Sequence, residues 1–253
     1  MAEYIIQDTT LMGIADSIRA KTGKTDSIPV LDMRSQIDSI PSGGDDETLK
    51  AIIDRSITSV SVPDGVTSIG KYAFDECKNL EKVVLPQSVT EIKDNAFANC
   101  SSLKNIELPN GITSFKFQSF ANCSSLELTH LPDETKDINA QAFINCKSLK
   151  ISKLPDKLEI LKDFCFSSIP NLRINTIPKS VKSIGNYIFN FNENTHITFE
   201  GTPTSISSAA FSGMSNLTTI NVPWAEGEVA NAPWGATNAT INYNYTEAIQ
   251  NAD

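Results

Sequence analysis

The sequence predicts an α/β fold of coiled type, a right-handed solenoid of 23-residue repeats whose strands run parallel, preceded by a small N-terminal helical segment. Three registers in phase predict it. Phe74, Phe97, Phe120, Phe143, Phe166 and Phe189 recur at one constant interval; Phe211 arrives one position early, and Trp234 restores the interval. Pro63, Pro86, Pro109, Pro132, Pro155 and Pro178 keep the same period at a fixed offset ahead of the phenylalanines, and Pro223 does so for Trp234. Leu80, Leu103, Leu126, Leu149 and Leu172 hold a fixed offset behind them. A fixed period of roughly 20 to 29 residues with leucines at matched offsets marks a leucine-rich solenoid.

The elements follow in chain order. Leu11, Ile14, Ala15 and Ile18 lie at helical spacing behind the N-cap signal "DTT", and "KTGKTDSIP" ends that helix. Leu31, Met33, Ile37 and Ile40 suggest a second helix, with "PSGGDD" from Pro41 to Asp46 as a flexible join. Residues 1–44 thus form a helical segment with its linker, and residues 45–253 form the solenoid with its caps. Two short helices bury too little to fold alone. They are read either as an appendage docked on the solenoid or as an attachment segment that orders on a partner or by self-association through residues 1–40.

"DETLKAIIDRS" reads as an N-terminal cap helix, with Leu49, Ile52 and Ile53 on one face. Asp45, Asp46 and Glu47 ahead of it suit the positive end of its dipole. Within a repeat, "LEKVVLP" alternates at Val83 and Leu85 and reads as the strand, which the proline ends because it cannot donate to the ladder. "SVTEI" crosses the far side, and "KDNAFANC" is predicted to return the chain as a short helical segment. Nine such strands, stacked about 4.8 Å apart, predict a rod roughly 40 Å long.

The phenylalanines are expected to pile into one aromatic spine, beside small residues at Ala73, Ala96, Ser119, Ala142 and Ala210. At the far end "INYNY" reads as the last strand, with Trp224 and Trp234 covering the final turn.

Composition excludes several function classes. A net charge of −9 repels phosphate backbones, so nucleic acid is not an expected partner. The chain has no uninterrupted apolar run of the length needed to span a bilayer, so no membrane insertion is expected. The N-terminus "MAEYIIQDTTLMG" does not read as a secretory signal, so a place outside the cell would require another route such as lysis. "TGKT" ends like a phosphate-binding loop, but Ile18 stands where that motif needs its first glycine. His130 and His196 are the two histidines and belong to turns well separated along the stack, which leaves no histidine pair for a metal or a catalytic dyad.

Cys77, Cys100, Cys123 and Cys146 lie three residues after their phenylalanines, and Cys165 sits in the small-residue column. Buried free thiols are the leading reading, with disulfides and a zinc site as the other two. No cofactor, metal or catalytic residue is expected.

The units "SVTEIKDNAFANCSSLKNIELP" and "SVKSIGNYIF" resemble the BspA-like, Treponema-type leucine-rich repeats over residues 46–246. The resemblance implies a non-enzymatic adhesive or protein-binding scaffold of the kind found on bacterial and protist surfaces. "LMGIADSIRAKTGKTDSIPVLDMRSQIDSI" and "VPWAEGEVANAPWGATNATINYNY" are similar to the end segments of phage and prophage tail-associated proteins.

These likenesses lead to the expectation of a binding or adhesion module for a protein or cell-surface glycan, virion-associated or extracellular after lysis and otherwise cytoplasmic. The alternative is a structural spacer assembled through its N-terminal helices. From Leu126 onward the strand motif changes from "LEKVVLP" to "LELTHLP", which moves an apolar residue to Leu128, Ile151 and Ile174. Glu107, His130 and Lys153 share one strand position in three consecutive turns and are the expected ligand-facing residues, with plain solvation as the competing reading.

Overall fold

The computed structural model describes residues 55–62 and 64–246. The two N-terminal helices, the linker and most of the cap helix read from the sequence lie outside the described residues.

Within them the chain winds as a parallel β-solenoid with two strand-bearing faces. On the first, β1 (Ser59–Ser61), β3 (Lys82–Val84) and β5 (Asn105–Ile106) pair in sequence order, matching Val60 with Val83 and Val83 with Ile106. The same face resumes further on with β9 (Thr176–Ile177), β11 (His196–Phe199), β13 (Thr219–Asn221) and β14 (Thr240–Asn242). On the second face seven strands form one unbroken sheet. They are β2 (Ser68–Ile69), β4 (Glu91–Ile92), β6 (Ser114–Phe115), β7 (Asp137–Ile138), β8 (Ile160–Leu161), β10 (Ser183–Ile184) and β12 (Ser205–Ile206). Its inward column runs Ile69, Ile92, Phe115, Ile138, Leu161, Ile184 and Ile206, so each turn lays an apolar side chain on the one before. The crossing segment "SVTEI" therefore carries the more continuous sheet of the two.

The aromatic spine is present. Ring centroids are 5.2 Å apart from Phe74 to Phe97 and from Phe97 to Phe120, 5.5 Å at the next two steps, and 6.0 Å from Phe166 to Phe189. Interplanar angles of 2° to 23° make this an offset stack, a favourable arrangement for neighbouring rings. Phe115 replaces an aliphatic residue of the second sheet and tilts against Phe120 and Phe143. Ala96, Ser119, Ala142, Cys165 and Ala210 are buried beside the spine, while Ile188 shows that this column also admits a larger side chain. The final turn is closed by Trp234, fully buried in the phenylalanine column, with Trp224 edge-on at 6.1 Å. Its indole N–H donates to the Ala230 carbonyl at 2.8 Å.

Two expectations are corrected. The returning segment is not helical: among the described residues no helix forms, and "KDNAFANC" is a run of turns. The reason is where its amides go. Alternate N–H groups leave the turn and bond the next one, as in Asn95 to Phe117, Phe97 to Ser119 and Asn99 to Ala121, at 2.7–2.9 Å. The intervening amides, as in Ala96 to Lys93 and Ala98 to Asn95, bond three residues back. A helix would turn all of these amides back along its own axis and forfeit the bonds between turns.

This zigzag requires a left-handed residue twice per turn, such as Asn95 (φ 56°) and Asn99 (φ 62°), or Gln118 (φ 52°) and Asn122 (φ 61°). That conformation costs most L-residues roughly 1–2 kcal/mol, and asparagine tolerates it through local polar bonding. Here the side chains bond one another: Asn145 donates to Asn122 at 2.7 Å, Asn122 to Asn99 at 2.8 Å, and Asn99 to Asp75 at 3.0 Å.

The second correction concerns the nine-strand stack. The turns at Leu126–Pro132 and Leu149–Pro155 form no strand, so among the described residues the first face carries seven strands, split three and four. In "LEKVVLP" the inward residues are Leu80, Val83 and Leu85; in "LELTHLP" they are Leu126, Leu128 and Leu131. The buried alternation has moved toward the start of the motif, and no strand pairs with Asn105–Ile106 on that side. Because strand side chains alternate with period two, a shift of register cannot keep both the ladder and the buried face. Leu128 and Ile151 are buried in the two turns that carry no strand; Ile174 is buried as well, but its turn keeps β9.

Candidate functional site

The interruption of the first face opens two neighbouring recesses. One, of about 460 Å³, lies where β5 loses its neighbour and is lined by Lys104, Glu107, Glu127, Thr129 and His130 among others. The other, of about 440 Å³, is lined by Glu127, Lys147, Lys150, Ser152, Asn171 and Arg173, above the buried Ile151. Glu127 borders both.

Glu107 and His130 are brought together in the first recess, both exposed. The His130 Nδ1 lies 3.2 Å from the Thr129 hydroxyl. Lys153 lines neither recess. Its ammonium pairs with Asp156 at 2.9 Å, and that hydrogen bond holds its pKa above the ordinary lysine value.

Lys104, Glu127, Lys150 and Arg173, which also line the break, were not singled out from the sequence. Their signal is the position directly after each repeat leucine, where Glu81, Lys104, Glu127, Lys150 and Arg173 follow one another up the stack. Lys150 donates to Glu127 at 2.6 Å, which lowers the Glu127 carboxyl below its ordinary value. Pairs one turn apart recur elsewhere, with Lys182 on Glu159 at 2.7 Å, Lys71 on Asp94 at 2.8 Å, and Lys157 on Glu134. These pairs are exposed, and such pairs contribute on the order of 0.2–1 kcal/mol each.

The chemistry available elsewhere is limited. Among the described residues no three His, Cys, Asp or Glu side chains are grouped to hold a metal ion, and no helix is long and apolar enough to cross a membrane. The five cysteines are buried and none forms a disulfide. Their stacking serves the fold: Cys100, Cys123 and Cys146 each donate through sulfur to the phenylalanine carbonyl of the turn below, at 3.0–3.1 Å.

The neighbouring Cys123 thiol, and then burial, raise the pKa of Cys100; burial leads the rise for Cys123, Cys146 and Cys165. Raised thiols keep their protons in the folded chain, whereas the unfolded chain ionises near pH ~8.5 and from there binds fewer protons. Stability is therefore expected to fall as pH rises past that point. Denaturation midpoints compared at about pH 7 and about pH 9.5 under reducing conditions should show the loss, and Cys123→Ala should reduce it without abolishing it.

Stacked parallel turns, each contributing a leucine, a spine phenylalanine and a strand, define a leucine-rich-repeat solenoid. The chain belongs to the family described as BspA type leucine rich repeat region, whose model matches residues 50–150 and 118–231, in six copies. No curated protein matches it.

Among solved structures it is similar to a leucine-rich repeat protein from Bacteroides ovatus, at 22% identity over 75% of this chain and 61% of that one, with a TM-score of 0.41. A Treponema pallidum leucine rich repeat protein shares 22% identity over 77% of this chain and 81% of its own, with a TM-score of 0.42. A leucine rich cell surface protein from Faecalibacterium prausnitzii shares 19% identity over 78% of this chain and 76% of its own, with a TM-score of 0.37. The chain thus spans less than two thirds of the first of these.

Proposed function

We propose that this chain is a non-enzymatic binding or adhesion module that engages a protein or glycan ligand on the broken face of its solenoid, as part of a bacterial surface or of a phage or prophage tail. One observation carries the reading. The turns at Leu126–Pro132 and Leu149–Pro155 give up strand pairing, and the recesses so formed gather Lys104, Glu107, Glu127, His130, Lys150 and Arg173 on adjacent turns. A spacer needs only a regular stack, and the second face supplies one without interruption. A rigid solenoid also holds these groups in place before any ligand arrives, which lowers the ordering cost of association. The tail setting is supported by the likeness of the two end segments.

The test is retention of the full chain on whole bacterial cells and on cell-wall fractions. Retention is expected, and the double substitution Glu107→Ala with His130→Ala is expected to weaken it. Absence of retention on every surface tried would leave the spacer as the better account. The tail setting is checked separately, by looking for the chain in purified phage particles.

A further inference from the structure

We infer that the recess beside Arg173 is a binding site for the anionic group, carboxylate or phosphate, of an acidic polysaccharide. The inference rests on the binding role proposed above and names the ligand class for one part of that face.

The site is cationic on a chain that is otherwise acidic. Lys147, Lys150 and Arg173 line it together with one carboxylate, Glu127, on a protein of net charge −9. Glu127 is occupied by Lys150 at 2.6 Å. Among the described residues neither Lys147 nor Arg173 forms an ion pair, and both are exposed. Lys71, Lys116, Lys157 and Lys182, by contrast, each face a carboxylate one turn away. The alternation of sign in the column after the repeat leucine also fails here, because Lys150 is followed by Arg173 where a carboxylate would continue it. Two cations thus occupy the same column position on consecutive turns, with Lys147 lining the same recess, and an anion supplied from outside would complement them. A planar guanidinium suits a carboxylate or phosphate through two parallel N–H donors.

The rest of the lining favours a saccharide over a peptide. Ser148, Ser152 and Asn171 offer hydroxyl and amide groups. The two apolar residues of the recess, Leu149 and Ile151, are 2% and 0% exposed, so neither offers a pocket for an aromatic or aliphatic anchor. Peptide interfaces draw most of their energy from such anchors; a hydroxyl-rich chain with periodic charge needs none.

The test is calorimetric titration of the full chain with oligogalacturonate, its methyl ester, a phosphomannan oligosaccharide and poly-L-glutamate. At least one of the two acidic oligosaccharides is expected to bind, more weakly as salt is raised, and the neutral ester is not. Arg173→Glu and Lys147→Glu are each expected to weaken that binding roughly tenfold by placing like charge against the ligand. Both positions are exposed, so an unchanged thermal melt is expected and separates lost binding from lost folding. Equal or tighter binding of poly-L-glutamate, equal binding of the ester, no binding of either acidic oligosaccharide, or affinity unchanged in both variants would each overturn the inference. Cell retention that persists unaltered in Arg173→Glu overturns this inference and leaves the binding role standing, whereas failure of the wild-type chain to be retained counts against both.

Discussion

Phe120→Ala is expected to destabilise the chain by about 3–5 kcal/mol, the range for deleting a buried phenylalanine ring from a core that cannot collapse around the loss. Phe120 is fully buried and lies 5.2 Å from Phe97, 5.5 Å from Phe143 and 6.1 Å from Phe115, so one substitution removes three ring contacts. Each such contact adds roughly 0.5–1.5 kcal/mol beyond area burial. Relaxation is restricted because the backbone on either side is pinned across turns. The Phe97 amide bonds Ser119, and the Phe120 amide bonds Ala142. Guanidinium denaturation of the wild type and the variant measures the effect. Phe191→Ala serves as the control, since that ring is 67% exposed and its loss is expected to stay within about 0.5 kcal/mol. A similar small change at Phe120 would show that the rings are not a continuous core.

Trp234→Ala is expected to have a comparable local effect with a different reach. Trp234 occupies the last place in the aromatic column, fully buried, 6.1 Å from Trp224 and 6.3 Å from Phe199. Its removal takes away the lid of the stack together with the indole bond to Ala230. In a solenoid each turn touches only its neighbours, so stability is a sum of local and nearest-neighbour contributions. The damage is therefore expected to stay at the end. Hydrogen exchange should show lost protection in β13 and β14, while the amides of β4 and β6 keep theirs. Uniform loss along the whole chain would contradict nearest-neighbour coupling and point to one cooperative unit.

The two substitutions draw on features with different visibility. The Phe120 column was legible because a residue type recurring once in every repeat needs no knowledge of its contacts. The Trp234 lid was legible because it keeps that column's phase while differing in size. The returning segment misled for an equally definite reason. Its alanine, phenylalanine and cysteine spacings of one and three suit a helix, and only the carbonyls of the next turn make the zigzag the better use of its amides. Asn99, Asn122 and Asn145 carried a partial clue, being residues that tolerate left-handed backbone at a fixed period.

The candidate site was legible in part for a similar reason. The displacement of apolar residues to Leu128 and Ile151 was visible in the motif. That two of the displaced turns would lack strands and open recesses beside Glu107 and Arg173, while the Ile174 turn keeps one, depends on contacts between turns that one repeat read alone does not reveal. Lys153 matched its two partners in sequence position, yet its side chain turns to Asp156, a choice made by local geometry.

The amino-acid order by itself determined the length of each turn, the inward column of rings and leucines, and the parallel stacking, because a periodic chain can bury periodic apolar residues only by coiling at that period. Tertiary structure alone decided that the returning segment bonds across turns, that the first face breaks in its middle, and which charges stand without partners beside the break. These depend on what lies one turn above and below, and a hydrogen bond or an ion pair is settled by the distance between two groups that the sequence places a full repeat apart.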